Sequence, residues 1–205
     1  MNENHSRLCP SPEWAARIQE EVLPSLTGFA NLGEVMLELG PGPGAATEWL
    51  RHRVGRLVTV ESDHAAAEKL EQRFSGSNVD VVVGDATKLD FADESFDSVG
   101  SFTMLHHVRT AQLQQRLLEE AYRVLRPGGT FLGSDSLASN DLHHFHADDT
   151  YNPVDPASLL VRLQAVGFTS IALFVDYDLR FVAQKVAGAE AGGTESSQQP
   201  DRRDT

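Results

Sequence analysis

Apolar residues recur every four positions from Trp14 through Ile18 and Val22 to Leu26, a spacing that predicts one helix with a single buried face. Ser11, Pro12 and Glu13 mark its start, with a capping hydroxyl, a proline in the first turn and an acid at the positive end of the dipole. After Gly33 the period shortens. Apolar runs at Val35–Leu39, Arg56–Val60, Val79–Val83, Phe96–Phe102 and Thr130–Ser134 read as strands. Between them lie helical patterns: one through Trp49 and Leu50, one capped by Asp63 that turns Leu70 and Phe74 inward, and one capped by Thr110 that carries Leu113, Leu117, Ala121 and Val124.

The third run, VDVVV, is too apolar for a sheet with one wet face and predicts cover on both sides. Arg126–Gly129 (RPGG) breaks the helix before the fifth strand. Asp155 and Pro156 open a last helix with Leu159, Leu160, Leu163 and Val166, which Gly167 ends by supplying a left-handed residue. Phe168–Phe174 and Leu179–Val186 have no helical pattern between them and predict an antiparallel hairpin at the sheet edge. The expected fold is therefore α/β, with a doubly wound, mostly parallel seven-stranded sheet ending in a C-terminal antiparallel hairpin. Its ligands belong at the carboxyl ends of the strands.

A length of 205 residues suits one domain. It is expected over 1–187, with an N-terminal helical arm. Residues 188–205 hold no residue larger than alanine that could anchor them to a core and read as a disordered tail. The formal charge of −13, from 30 acids and 17 scattered bases, disfavours a nucleic-acid partner, which needs clustered Lys and Arg. No apolar run approaches a membrane-spanning length, and residues 1–12 lack the basic-then-apolar order of a secretory leader. Cys9 is the single cysteine, which excludes an internal disulfide. A cytoplasmic protein without a membrane partner is expected.

The candidate chemistry begins in LELGPGPGAAT, Leu37–Thr47, between the first strand and the next helix. Gly40-x-Gly42-x-x-Ala45 satisfies a dinucleotide fingerprint, with Glu61 about twenty residues on to hold a ribose. Gly40-x-Gly42-x-Gly44 equally satisfies the loop of an S-adenosylmethionine (SAM) methyltransferase. Pro41 and Pro43 have no N–H, so the turn lacks two donors that a pyrophosphate would use.

Further landmarks follow in order: Glu38 before the loop, Glu61 after the second strand, GDATKLDF (Gly84–Phe91) after the third, SFTMLHHV (Ser101–Val108) after the fourth, and LRPGG. Together they resemble the class I SAM-dependent methyltransferases, in particular the small-molecule, methyltransferase type 11-like enzymes. The resemblance is strongest over Val35–Leu132. It implies SAM as cofactor, with Glu38, Gly40, Gly42, Gly44, Glu61, Ser62, Asp85, Ala86, Ser101 and Phe102 binding it. Glu61 would accept both ribose hydroxyls, and Asp85 would accept the adenine amino group. The Ala86 amide would face the neighbouring ring nitrogen, and Leu89 and Phe102 would sandwich the base.

The implied reaction is methyl transfer to an oxygen or nitrogen of a small organic molecule. A nicotinamide- or nucleotide-dependent oxidoreductase and a non-catalytic SAM-binding protein are the alternatives. A protonated acceptor calls for a base tuned near neutral pH, a role that suits histidine. His106, after the fourth strand, and His146, in the cluster LHHFHADDTYNPVDP (Leu142–Pro156), are the expected catalytic residues. Where metal-dependent relatives hold magnesium with two glutamates and a histidine, this chain has Thr103, His106 and His107. No metal is therefore expected, although His107 and His146 leave a softer ion open. In the same family the N-terminal arm often closes over the site, which would bring in Asn4, His5, Arg7 and Cys9.

Overall fold

The structure, a computed structural model, describes residues 11–147 and 149–188. Asn4, His5, Arg7, Cys9 and all but the first residue of the expected tail lie outside the described residues.

The first helix forms as its caps predict: Ser11 Oγ accepts the Trp14 amide, and α1 runs Pro12–Arg17. It continues through a wider π turn, Ile18–Val22, into α2, Leu23–Thr27. In a regular α-helix a four-residue repeat drifts by about 40° per step, because 3.6 residues complete a turn. The π turn winds more slowly and offsets that drift. Ile18, Val22 and Leu26 therefore stay on one face and are all buried.

Seven strands form one sheet: β1 Val35–Leu39, β2 Arg56–Glu61, β3 Val79–Val83, β4 Phe96–Phe102, β5 Leu125–Asp135, β6 Thr169–Val175 and β7 Leu179–Gln184. Their spatial order is β3-β2-β1-β4-β5-β7-β6. The first five are mutually parallel, while β7 runs antiparallel to β5 and β6. The helices between them are α3 Ala45–Leu50, α4 His64–Phe74, α5 Ala111–Val124, α6 Asn140–Phe145 and α7 Pro156–Val166.

Strand alternation divides the core into two layers. Leu37, Leu39, Val99, Phe131 and Phe181 pack on the side of α5 and α7. Met36, Leu57, Leu132 and Val182 pack on the side of α1, α2 and α3. Glu38 shares the parity of Met36, so a carboxylate points into the second layer, where it is 1% exposed.

Two strand expectations need correction. VDVVV is an edge strand, bonded only to β2, and Val83 is 44% exposed. It is not covered on both faces as its apolar run predicted. Arg56 on β2 pairs with Asp80 at 2.6 Å, and this charged pair marks the wet side of the edge. The fifth strand also begins earlier than expected. RPGG ends α5, but Leu125 already pairs with Phe96 before the register jumps to Ser98 with Thr130.

Asp97 holds that irregular segment. Its Oδ2 accepts the Glu34 and Val35 amides at 2.9 and 2.8 Å, and Arg126 donates to its Oδ1. Replacing Asp97 by Ala should cost about 1–3 kcal/mol, the range for charge-assisted bonds lost at a partly buried site. Urea unfolding at constant m-value checks this.

Candidate active site

The loop after β1 is fixed by its own backbone. The Gly40 amide donates to Val60 O at 2.9 Å, Gly44 to Pro41 O at 2.9 Å, and Gly42 to Glu61 Oε2 at 3.2 Å. The three glycine amides of the loop are thus engaged within the protein, and the two prolines have none to offer. Gly40 and Gly42 have φ of 63° and 52°, and a Cβ built at Gly42 meets only open space. Gln19, from the π turn, donates to Ala45 O at 2.8 Å, and Arg73 donates to Pro43 O at 2.6 Å. Both bonds hold the loop against its neighbouring helices.

This loop borders a cavity of about 690 Å³ at the carboxyl ends of β1, β2 and β4. Glu38, Gly40, Gly42, Glu61, Ser62, Asp85, Ala86 and Phe102 line it, as the sequence implies. Glu61 Oε1 accepts the Asp63 amide at 3.0 Å, so both carboxylate oxygens are oriented, with lone pairs to spare for a diol. Asp85 Oδ1 is held by the Thr87 amide and hydroxyl, each at 2.8 Å. Glu38 Oε2 accepts the Thr47 hydroxyl at 2.6 Å. Burial outweighs that bond and raises the Glu38 pKa to about 7.

Three expected cofactor contacts lie elsewhere. Gly44 is at the N-terminus of α3, where its Cα faces Leu70 and Phe74, away from the cavity. Ser101 is fully buried within β4, because it has the opposite parity to Phe102. Leu89 is turned to α5, with its amide on Glu120 and its carbonyl on Arg123. Apolar walls come instead from Phe102, Met104, Val108 and Leu113.

A second chamber of about 360 Å³ adjoins the first, and Trp14, Thr103 and His107 line both. Thr103 has φ of 52°, a left-handed conformation that is costly for a β-branched residue. Its amide donates to Ser134 O at 2.7 Å, which holds it there at the junction of the two cavities.

Both expected catalytic histidines are buried in this second chamber. His106 lies on a 3₁₀ turn, Leu105–His107. Its Nδ1 is 2.5 Å from Asp135 Oδ1, and its amide donates to Asp135 Oδ2 at 3.2 Å. His146 follows the short helix α6, which the sequence pattern leaves as loop, and its Nδ1 is 2.6 Å from Leu142 O. Burial pushes the His146 imidazole below its ordinary pKa and favours the neutral ring.

The rings of His106, His107 and His146 stand 4.2, 5.0 and 5.4 Å apart in pairs, and Tyr151 stacks on His146 at 4.4 Å. Gln114 ties the wall together by donating to Leu105 O and Asn152 O at 2.9 and 2.8 Å. Asp135, Gln114 and Trp14 were not among the expected site residues. Asp135 alone carried a signal, as an acid at the carboxyl end of a strand.

A loop whose three glycine amides are engaged within the protein, set opposite acids suited to a ribose and an adenine, fits a nucleoside cofactor without a pyrophosphate. This arrangement resembles the site of the class I SAM-dependent methyltransferases, whose cofactor is S-adenosylmethionine. Residues 37–133 match the family described as "Methyltransferase domain", of type 11.

Among similar proteins, a probable ribosomal RNA small subunit methyltransferase A of Thermococcus onnurineus is 40% identical over 60 residues, which is 29% of this chain and 22% of that protein. A ubiquinone/menaquinone biosynthesis C-methyltransferase of Desulfotalea psychrophila is 33% identical over 122 residues, 58% of this chain and 48% of that protein. The chain therefore spans between a fifth and a half of these relatives. A solved complex of a Haloferax volcanii methyltransferase activator with a putative methyltransferase shares the fold. It has a TM-score of 0.72 and 18% identity, and the match covers 91% of this chain and 99% of that one. No helix among the described residues is long and apolar enough to cross a membrane.

Proposed function

We propose that the protein transfers a methyl group from SAM to an oxygen or nitrogen of a small organic molecule bound in the histidine-walled chamber. The observation that carries this reading is the pair of adjoining cavities. One is lined by residues suited to SAM, and the other is smaller, with the three histidines in its wall. When bound, SAM supplies a methyl group already activated on a sulfonium. The protein is left to orient the acceptor, exclude water and remove a proton.

Glu61 holds the ribose hydroxyls, Asp85 and the Ala86 amide recognise adenine, and Glu38 meets the methionine ammonium. His106, oriented by Asp135, takes the acceptor proton, and His146 completes the wall. Arg17 is the one Lys or Arg among the described residues lining the second chamber, and the chain carries a net charge of −13. Both features favour a small substrate over nucleic acid or an anionic membrane.

Radiolabelled SAM incubated with a small-metabolite extract, and separately with ribosomal RNA, tests the proposal. Label is expected in a small-molecule fraction, whereas label in RNA alone would overturn the substrate class.

The protonation of Glu38 adds a pH signature. Its folded pKa of about 7 lies above the ordinary value of 4.5. The free protein is therefore favoured by the neutral form and loses stability as pH rises from 4.5 through 7. An ammonium ligand needs the ionised form, so SAM affinity should rise roughly eightfold between about pH 6 and 7.5. Calorimetry in buffers of different ionisation heat should detect the released proton, and Glu38→Gln should flatten the dependence.

A further inference from the structure

We infer that His106, His107 and His146 form a binding site for one divalent cation of the zinc class, with an open coordination position for the acceptor. One ring nitrogen from each residue lies within 4.8 Å of the others. Tetrahedral coordination at about 2.0–2.1 Å per nitrogen sets the ligands roughly 3.3 Å apart, so a bound cation draws the three rings together.

The surroundings supply what such a site requires. Nδ1 of His106 is engaged by the Asp135 carboxylate and Nδ1 of His146 by the Leu142 carbonyl, which makes Nε2 the ligating nitrogen of both rings. A carboxylate or backbone carbonyl behind each ligand imidazole fixes the tautomer and raises its basicity. Three neutral nitrogens select zinc, cobalt, nickel or copper and exclude magnesium and calcium, which need oxygen. Three protein ligands also leave the fourth position open, as catalytic rather than structural sites do. His107 lines both cavities, so that position lies at the boundary between acceptor and cofactor.

The catalytic consequence rests on the methyl-transfer reading above. A hydroxyl acceptor bound to the cation loses its proton to solvent. A lone pair on its oxygen then forms the new bond to the methyl carbon. The electrons of the breaking carbon–sulfur bond stay on the cofactor sulfur, giving S-adenosylhomocysteine. With a cation bound, Nε2 of His106 is a ligand and not the base, so the acceptor proton goes to solvent; the base role of His106 belongs to the cation-free protein.

The test is titration of the full chain, stripped by a chelator, with Zn²⁺ and with Co²⁺. One equivalent should bind, and Co²⁺ should show the visible bands of a tetrahedral site. Asp135→Asn should weaken binding about 10–100-fold. His107→Ala and His146→Ala should each weaken it further, while His143→Ala and His144→Ala, on α6 outside the cluster, should leave it unchanged. His146→Gln preserves bulk and guards against a folding artefact, because it too should lose the Co²⁺ bands. Failure to bind an equivalent, or binding that survives in the His107→Ala/His146→Ala double variant, would overturn the site.

Methyl transfer undiminished by stripping would overturn the activating role. SAM affinity of the stripped chain, measured in parallel, reports on the methyltransferase reading independently of the cation.

Discussion

Glu61→Ala should reduce SAM affinity by at least about 100-fold. In the proposed binding mode the carboxylate accepts two ribose hydroxyls, and charge-assisted hydrogen bonds contribute about 1.5–3 kcal/mol each. Losing both therefore costs roughly 3–6 kcal/mol, or about two to four orders of magnitude in affinity. The same side chain receives the Gly42 amide at 3.2 Å and the Asp63 amide at 3.0 Å. The substitution also frees the glycine loop, which adds an ordering cost to binding. Glu61→Gln keeps one acceptor oxygen and should lose less, about tenfold. Isothermal titration with S-adenosylhomocysteine measures both. Affinity unchanged in Glu61→Ala would mean that the cofactor lies elsewhere in the fold.

The cofactor half of the site was legible because it is local in sequence. Glu38, the glycine loop, Glu61 and Asp85 each sit at the end of a strand or in the turn that follows. Strand periodicity places such residues at the sheet mouth without knowledge of the tertiary structure. Where the reading failed, a second geometric constraint decided. Ser101 and Phe102 are neighbours on one strand, so only one can face the cavity, and the bulky residue does. Gly44 is required by its φ of 84° and its closeness to Leu70 and Phe74, a packing need that resembles a binding signature in sequence. VDVVV carries the composition of a central strand yet lies at an edge, because strand order is settled by packing between distant segments.

The acceptor half was less legible because it is assembled from distant parts of the chain. His106 follows β4, Asp135 ends β5, His146 follows α6 and Trp14 belongs to α1. His106 and Asp135 are 29 residues apart in sequence. The sequence offers two histidine-rich stretches, and the option of an ion shared by His107 and His146 brings them together, but nothing in it places Asp135 or Trp14 beside them. Nor does it show that the first stretch divides its labour. His107 lines both cavities, whereas His106 lines only the second and is backed by the carboxylate.

In the cation-free protein, where Nε2 of His106 can accept a proton, His106→Ala should accordingly lower kcat by about 10²–10⁴, the usual contribution of a positioned acid or base, while SAM affinity stays near that of the parent. The two effects separate because His106 lines the second chamber and not the cofactor cavity. Asp135 is expected to act through His106. Asp135→Asn retains the shape and one acceptor oxygen but loses the charge that stabilises a protonated ring, so kcat should fall by about 10–100-fold with KM for the acceptor little changed. A merely structural Asp135 would lower melting temperature and SAM affinity together, because its removal would loosen the turn Leu105–His107 that leads into the cavity wall. Single-turnover rates with saturating SAM, measured beside thermal melts, distinguish the two roles. Full turnover in His106→Ala would remove this histidine from the chemistry, leaving His107 as the ring at the boundary with the cofactor.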